Sequence, residues 1–478
     1  MRTNSKDTFF GLIHRQGWVL AFILGVLAIV ATPAAHATKT HLVVEKFGEA
    51  SGGPGNYVKF QGVNSLAVDQ TSGDLLVIDP TALTVSRFHS DGTPANFSAL
   101  GTNVIDGKGV GDQTPENGFK FGSSAGDQQI AVDNSGTITD GNIYVTQGKT
   151  QAGNLVDIFA FSGEYLGQLT GAGGTKFGTA GSFPFSPCGV AVDATGNLFV
   201  AAGYENKVHK FDPSANRPLN TDLTATYTGT EPMCNLAAGA GPSAGSVFAN
   251  IYFGFKGNSV LKLSSASLAF QGIADSGEAR LLTVNPSDGH LYSVHQVPGN
   301  ADGLANELNV SGSGSSLIST FLLPGVSGIA VDSASSKIYS ARGSFVEVYG
   351  PLVTIPDVTT GTASITGDTS VTVNGTVDPD GVALEECFFE YGPTNAYGQI
   401  APCTESASEI GTAPKAVHAD LSGLSGETLY HYRLVAKNAN DTVRGADQTF
   451  RTPGKPAIVG LWSADVGLSE ATLKAQIN

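Results

Sequence analysis

Cysteines, histidines and a recurring aspartate carry most of the chemistry this chain could do. Cys387 and Cys403 lie 16 residues apart around an apparent turn at Tyr391-Gly392. A bridge closing that loop would stabilise the fold by about 3 kcal/mol. Cys188 and Cys234 occupy the same place in neighbouring copies of a repeat. They form a second bridge if their Cα atoms come within about 7 Å, and two buried thiols otherwise. No Cys-x-x-Cys occurs, so a thiolate zinc site is not expected. His290 and His295 sit on one extended segment at an odd spacing, face opposite sides and cannot chelate together. His209 alternates with apolar neighbours and reads as a solvated face residue. Asp69, Asp133, Asp193 and Asp332 each end a short apolar strand before a turn rich in Ser, Gly and Asn. Asn285 and Gly239 hold the equivalent places in the other two copies. An amide makes the same turn without charge, so the carboxylates are expected to cap Asx-turns rather than hold calcium. Asp378-Pro379-Asp380-Gly381 is likewise a turn, since it lacks EF-hand spacing. No metal and no cofactor is expected.

These residues are positioned by a repeat. Asn64–Asp69, Gln128–Asp133, Cys188–Asp193, Cys234–Gly239, Arg280–Asn285 and Ser327–Asp332 align without gaps. The third and fifth columns are always aliphatic, from Leu66 and Val68 to Ile329 and Val331, and the fourth is Ala in all but one. Apolar residues on both faces predict a strand buried on both sides. A second strand follows each one, as in GNIYV from Gly141, and then a third, as in KVHKF from Lys207. The last column recurs at 69, 133, 193, 239, 285 and 332, settling to the period of a four-stranded propeller blade.

The pattern gvAVD…GNlYV…N.v..F resembles NHL repeats, most closely in the third copy, from Cys188 through Asn197 and Asn206-Lys207-Val208 to Phe211. That resemblance covers residues 41–350. It implies a six-bladed β-propeller of a kind that mostly binds other macromolecules, with some relatives of the architecture acting as lyases or hydrolases. The Arg that usually follows the Asn of the third strand is absent, and Lys207 stands there instead. His41–Gly48 is expected to return as the outermost strand of the sixth blade, which removes an exposed edge.

In propeller enzymes catalytic groups gather where the inner strands begin. Here that column reads Asn64, Gln128, Cys188, Cys234, Arg280 and Ser327, without His or carboxylate. A metal-dependent lyase or lactonase would bring several such ligands together there, and no GxSxG elbow occurs. No catalytic residue is therefore assigned, although loops could supply one. The first two intervals of the repeat are longer than the rest. Their Gly-rich connections carry Phe119 and Phe121 in one and Phe177, Phe183 and Phe185 in the other. These are candidate anchors for a partner, or else they pack the loops onto the blades.

Residues 354–453 form a second β-rich module. Its segment from Leu421 resembles fibronectin type III, with Leu421, Leu424 and Tyr430 fitting a tyrosine corner. Glu470–Asn478 repeats Ser370–Asp378, so residues 455–478 read as the start of a second module and the chain as a piece of a longer protein. Residues 1–37 read as a signal peptide: Arg2, Lys6 and Arg15, then an apolar run from Trp18 to Ala31, then Ala35-His36-Ala37. That run is shorter than the roughly 20 residues a spanning helix needs, and an uncleaved anchor is the alternative. The formal net charge is −16, with 26 basic residues against 42 acidic, so phosphates find no footprint. Hydrophobic residues at 41% exclude a disordered chain. The sequence thus predicts an all-β protein, a six-bladed propeller at 38–350 followed by an immunoglobulin-like sandwich. It is secreted or displayed at the cell surface, with no membrane span in the mature chain. Its partner would be a protein or glycan and not nucleic acid, and the alternative is an exported lyase or hydrolase.

Overall fold

The computed structural model describes residues 38–48, 59–107, 118–122, 128–147, 154–178, 187–212, 217–251, 259–299, 301–454 and 458–477. The expected signal segment lies outside them. Among the described residues each repeat copy folds as a four-stranded antiparallel sheet. The first runs Ser65–Val68, Leu75–Asp79, Thr84–Phe88 and Val104–Asp106, and the second Ile130–Val132, Ile143–Gln147, Leu155–Phe159 and Tyr165–Leu169. The third is Gly189–Val192, Leu198–Ala202, Lys207–Phe211 and Leu223–Thr228, and the fourth Met233–Ala238, Ser246–Ile251, Val260–Ser264 and Phe270–Asp275. Ala279–Val284, Leu291–Gln296, Gly303–Asn309 and Ser316–Leu323 make the fifth. The sixth takes Val326–Asp332, Lys337–Arg342 and Phe345–Thr354, and its outer strand is Lys39–Phe47 from the other end of the chain. Consecutive inner strands touch in order, and Val326–Asp332 touches Ser65–Val68, so the sheets close on themselves as a β-propeller.

The apolar columns explain the closure. Leu66 and Val68 pack with Ala330, Tyr339 and Val348 of the sixth sheet, whereas Ala67 between them packs with Ile130 and Val132 of the second. The same division recurs as Ala191 meets Leu236 and Ala237 meets Leu282, while in the fifth sheet, where Thr283 replaces the alanine, Leu281 meets Ile329 and Val331. A methyl group on the side facing the next sheet lets its larger aliphatic residues come close. Phe47 seals the last junction, buried with Phe60 and Phe88.

Beyond Thr354, two sheets enclose one core. Asp357–Gly367, Ser370–Asp378 and Lys415–Leu421 form one of them. Leu384–Gly392 and Leu429–Asn438 centre the other, with Gln399–Pro402, Thr442–Arg444 and Gln448–Arg451 beside them. Val373, Val417, Phe389 and Leu434 meet between them. Tyr430 is buried there, and its phenol oxygen accepts the Ser425 N–H at 3.0 Å, an upstream backbone bond of the kind a tyrosine corner makes. Cys387 and Cys403 are bridged, with Cα atoms 5.5 Å apart. Ile458–Ala464 and Thr472–Ile477 form an exposed hairpin. Its pair Ile458↔Ile477 repeats the register of Val358↔Val377 in the first hairpin of the preceding module.

Candidate functional site

The inner strands surround a channel whose mouth is the column from Asn64 to Ser327. Cys188 and Cys234 form a disulfide between the adjoining inner strands of the third and fourth sheets, with Cα atoms 4.9 Å apart. That approach depends on Gly189, where a Cβ would lie 1.6 Å from the Cys234 carbonyl oxygen. Ser327 Oγ donates to Val63 O at 2.7 Å. Gln128 Oε1 accepts from the Gly122 N–H at 2.9 Å, while its buried Nε2 and the buried Nε of Arg280 have no protein partner.

One residue further along, side chains reach across to the next inner strand. Asn235 Oδ1 accepts from the Leu282 N–H at 2.7 Å, and Ser65 Oγ accepts from the Ile130 N–H at 3.2 Å. Gln129 reaches furthest: Oε1 accepts from Val190 N–H and Leu236 N–H, each at 3.0 Å, and Nε2 donates to Leu236 O at 2.7 Å. One amide thereby ties three sheets together. Beyond it a cavity of about 180 Å³ is lined by the apolar columns with Gln70 and Asn134 at its rim. Gln70 Nε2 donates to Val331 O at 2.7 Å, and Asn134 Oδ1 accepts from the Gln70 N–H at 2.7 Å. Sequence reasoning singled out Gln128 but not Gln129. The available signal was a long amide where other copies carry Ser65, Gly189 or Asn235.

The turn aspartates behave as caps. Asp69 Oδ2 accepts from the Ser72 N–H and Asp133 Oδ1 from the Ser135 N–H, both at 2.9 Å. Asp193 Oδ1 accepts from the Thr195 N–H at 2.9 Å and Asp332 Oδ1 from the Ala334 N–H at 3.0 Å. Asn285 Oδ1 takes the Ser287 N–H at 3.1 Å, making the same turn without charge.

One expectation is corrected. His209 is not a solvated face residue but is buried beside Phe177, under the hairpin formed by Gly171–Ala172 and Thr175–Lys176. Burial lowers its pKa from 6.5 to about 4, with opposing charge effects of Glu205 and Lys207. The candidate anchors Phe119, Phe121 and Phe177 are only 1–3% exposed. Phe119 and Phe121 stack at 4.7 Å within the cluster between the first and second sheets, the packing arrangement expected as the alternative to a partner anchor. Phe183 and Phe185 lie outside the described residues.

Ser293, His295 and Asp275 come together in the fourth and fifth sheets, yet not as a relay. Ser293 Oγ and His295 Nε2 both engage Asp275 Oδ2, the latter at 2.8 Å, so the imidazole has no nitrogen turned toward the serine alone. Ser293 is fully buried. Burial pushes the Asp275 carboxyl up, but bonds from His295 and Ser293 outweigh it and bring the pKa down to about 2. His290 turns instead to Glu307, so the two histidines are apart as their spacing implied. Among the described residues one group with metal-ligand spacing occurs, Asp288, His290 and Glu307, and it lies away from the channel.

No family model matches the chain, and no curated protein matches it either. Solved structures with a similar fold include a gluconolactonase from Xanthomonas campestris, 12% identical over 62% of this chain and 87% of its own, with a TM-score of 0.41. A luciferin-regenerating enzyme is 12% identical over 66% of this chain and 95% of its own, with a TM-score of 0.40. The Dos1 propeller is 10% identical over 86% of this chain and 97% of its own, with a TM-score of 0.32. So distant a likeness says nothing of activity. Among the described residues no helix is long and apolar enough to cross a membrane.

Proposed function

We propose that this is an exported binding or scaffold protein, in which a six-bladed NHL-like propeller recognises a protein or glycan and fibronectin type III-like modules carry it. The observation that supports this most is the use made of the channel's polar groups. Gln129, Asn235 and Gln70 bond neighbouring strands, and Cys188 and Cys234 are joined to each other. An active site needs convergent groups left free for substrate. Six four-stranded sheets around one axis suit one blade per repeat copy, and the Tyr430 corner with its two-sheet core suits a fibronectin-like sandwich. Two disulfides fit an oxidising compartment and hence export.

The reading is tested by screening the purified chain against glycan and surface-protein panels and, in parallel, against lactones and esters. Saturable binding without turnover is the expected result. Turnover that disappears in Arg280→Leu would overturn it in favour of an exported lyase or hydrolase. One observation favours that second reading: Gln128 Nε2 and Arg280 Nε are buried donors at the mouth without a protein acceptor, as a carbonyl or carboxylate ligand would require.

A further inference from the structure

Asp288, His290 and Glu307 place ligand atoms within 4.8 Å of one another. Asp288 lies in the turn before the strand Leu291–Gln296, His290 stands at that strand's head, and Glu307 faces it from Gly303–Asn309. His290 Nδ1 is 2.8 Å from Glu307 Oε1 and 3.4 Å from Asp288 Oδ2. A fourth donor arrives from a remote part of the chain. His41, on the strand Lys39–Phe47, is only 6% exposed. Its Nδ1 donates to Gly350 O at 2.8 Å, which fixes the proton on that nitrogen. Nε2 is buried and faces Glu307 Oε2 at 3.7 Å, beyond hydrogen-bond length but within ion-pair range. An imidazole nitrogen held opposite a buried carboxylate calls for a positive charge on or between them, supplied by a proton or by a bound cation.

We infer that His41, Asp288, His290 and Glu307 form a binding site for a divalent transition cation of zinc's class, tying the N-terminal strand to the fifth sheet. The donor set is two imidazoles and two carboxylates, which suits borderline cations better than calcium or magnesium. Donors about 2.1 Å from a tetrahedral ion stand roughly 3.4 Å apart, and the His290–Glu307, His290–Asp288 and His41–Glu307 separations of 2.8, 3.4 and 3.7 Å bracket that value. The outer bonds of a metal site are also in place. His41 Nδ1 is held by Gly350 O, and Ser319 Oγ donates to Glu307 Oε2 at 2.7 Å. An imidazole binds a metal through a free lone pair, so the cation competes with protons for these nitrogens. No spacing along the chain marks this site, because His41 and Glu307 meet only after the ring has closed.

The probe is Co2+, titrated into the chelator-stripped full chain and followed by its visible d–d absorption, with Zn2+ as competitor. The expected result is a saturable signal at one ion per chain, displaced by Zn2+. It should weaken by about tenfold or more in Glu307→Gln and in His290→Asn. His290 is partly exposed, so the Asn variant is expected to fold, and circular dichroism verifies it. Absence of one-to-one binding at millimolar Co2+, or binding unchanged in both variants, overturns the site and leaves a proton on His41 as the occupant. Binding that survives His41→Gln at full strength overturns the link to the N-terminal strand.

Discussion

Replacing Gln129 by leucine keeps the volume of the side chain and removes the amide that spans the inner strands. Three backbone groups then lose their partner: the N–H of Val190, the N–H of Leu236 and the C=O of Leu236. A hydrogen bond contributes about 1 kcal/mol net, and a buried group left bare costs about 1–3 kcal/mol. Water entering the neighbouring cavity offsets part of this, so the expected loss is about 3 kcal/mol. The effect should be local, and hydrogen–deuterium exchange reads it there. Peptides covering Gly189–Val192 and Met233–Ala238 should exchange on the order of a hundredfold faster, whereas Lys415–Leu421 in the second module should not change. An acceleration below about tenfold, or one spread evenly over both modules, would mean that water already satisfies these amides. The channel would then be open, and the argument against an active site within it would fail.

The other predictions concern closure and burial. Gly189→Ala should prevent folding or cost more than about 4 kcal/mol, because the new Cβ would overlap the Cys234 carbonyl oxygen. Gly312→Ala, with nothing within 4 Å, should be silent in the same denaturation assay. His209 protonates at 6.5 in the unfolded chain but only near 4 in the fold, so the unfolded state takes the proton first. Stability should therefore fall as pH drops from about 6.5 to about 4, by up to about 3 kcal/mol, and His209→Gln should flatten the dependence of Tm on pH over that window. Deleting residues 38–47 exposes the edge of Phe345–Thr354 and removes Phe47 from its cluster. The product should aggregate, and a monomer by light scattering with a cooperative melt would refute that view of ring closure.

What the sequence made legible was whatever repeats. The aliphatic columns from Leu66 to Val331 marked the inner strands, and His41–Gly48 was recognisable as the strand that completes the sixth sheet, which begins at Lys39. Asn285 in place of an aspartate marked these turns as ones that a side-chain oxygen caps. Less legible was anything set by the distance between sheets. Whether Cys188 could reach Cys234 depended on how closely two inner strands approach, and Gly189 decides that through the absence of a single carbon. His209 obeyed strand alternation, yet the face it points to is roofed by a hairpin from a neighbouring connection. Alternation assigns a side to a residue and says nothing of what covers it.

The same geometry bears on where a partner could be held. In a closed ring of sheets each inner strand has a neighbour on both sides, so its alternate side chains turn toward one sheet and then the other. A polar residue in that position must find a backbone group on the adjacent strand or remain bare. Gln129 and Asn235 do the first, and in doing so fill the narrow part of the channel. The channel wall is thus alanine, aliphatic side chains and strand backbone, with Gln70, Gln129, Asn134, Asp193 and Thr283 set among them. Groups free to meet a partner must accordingly come from the rims and the connections between sheets.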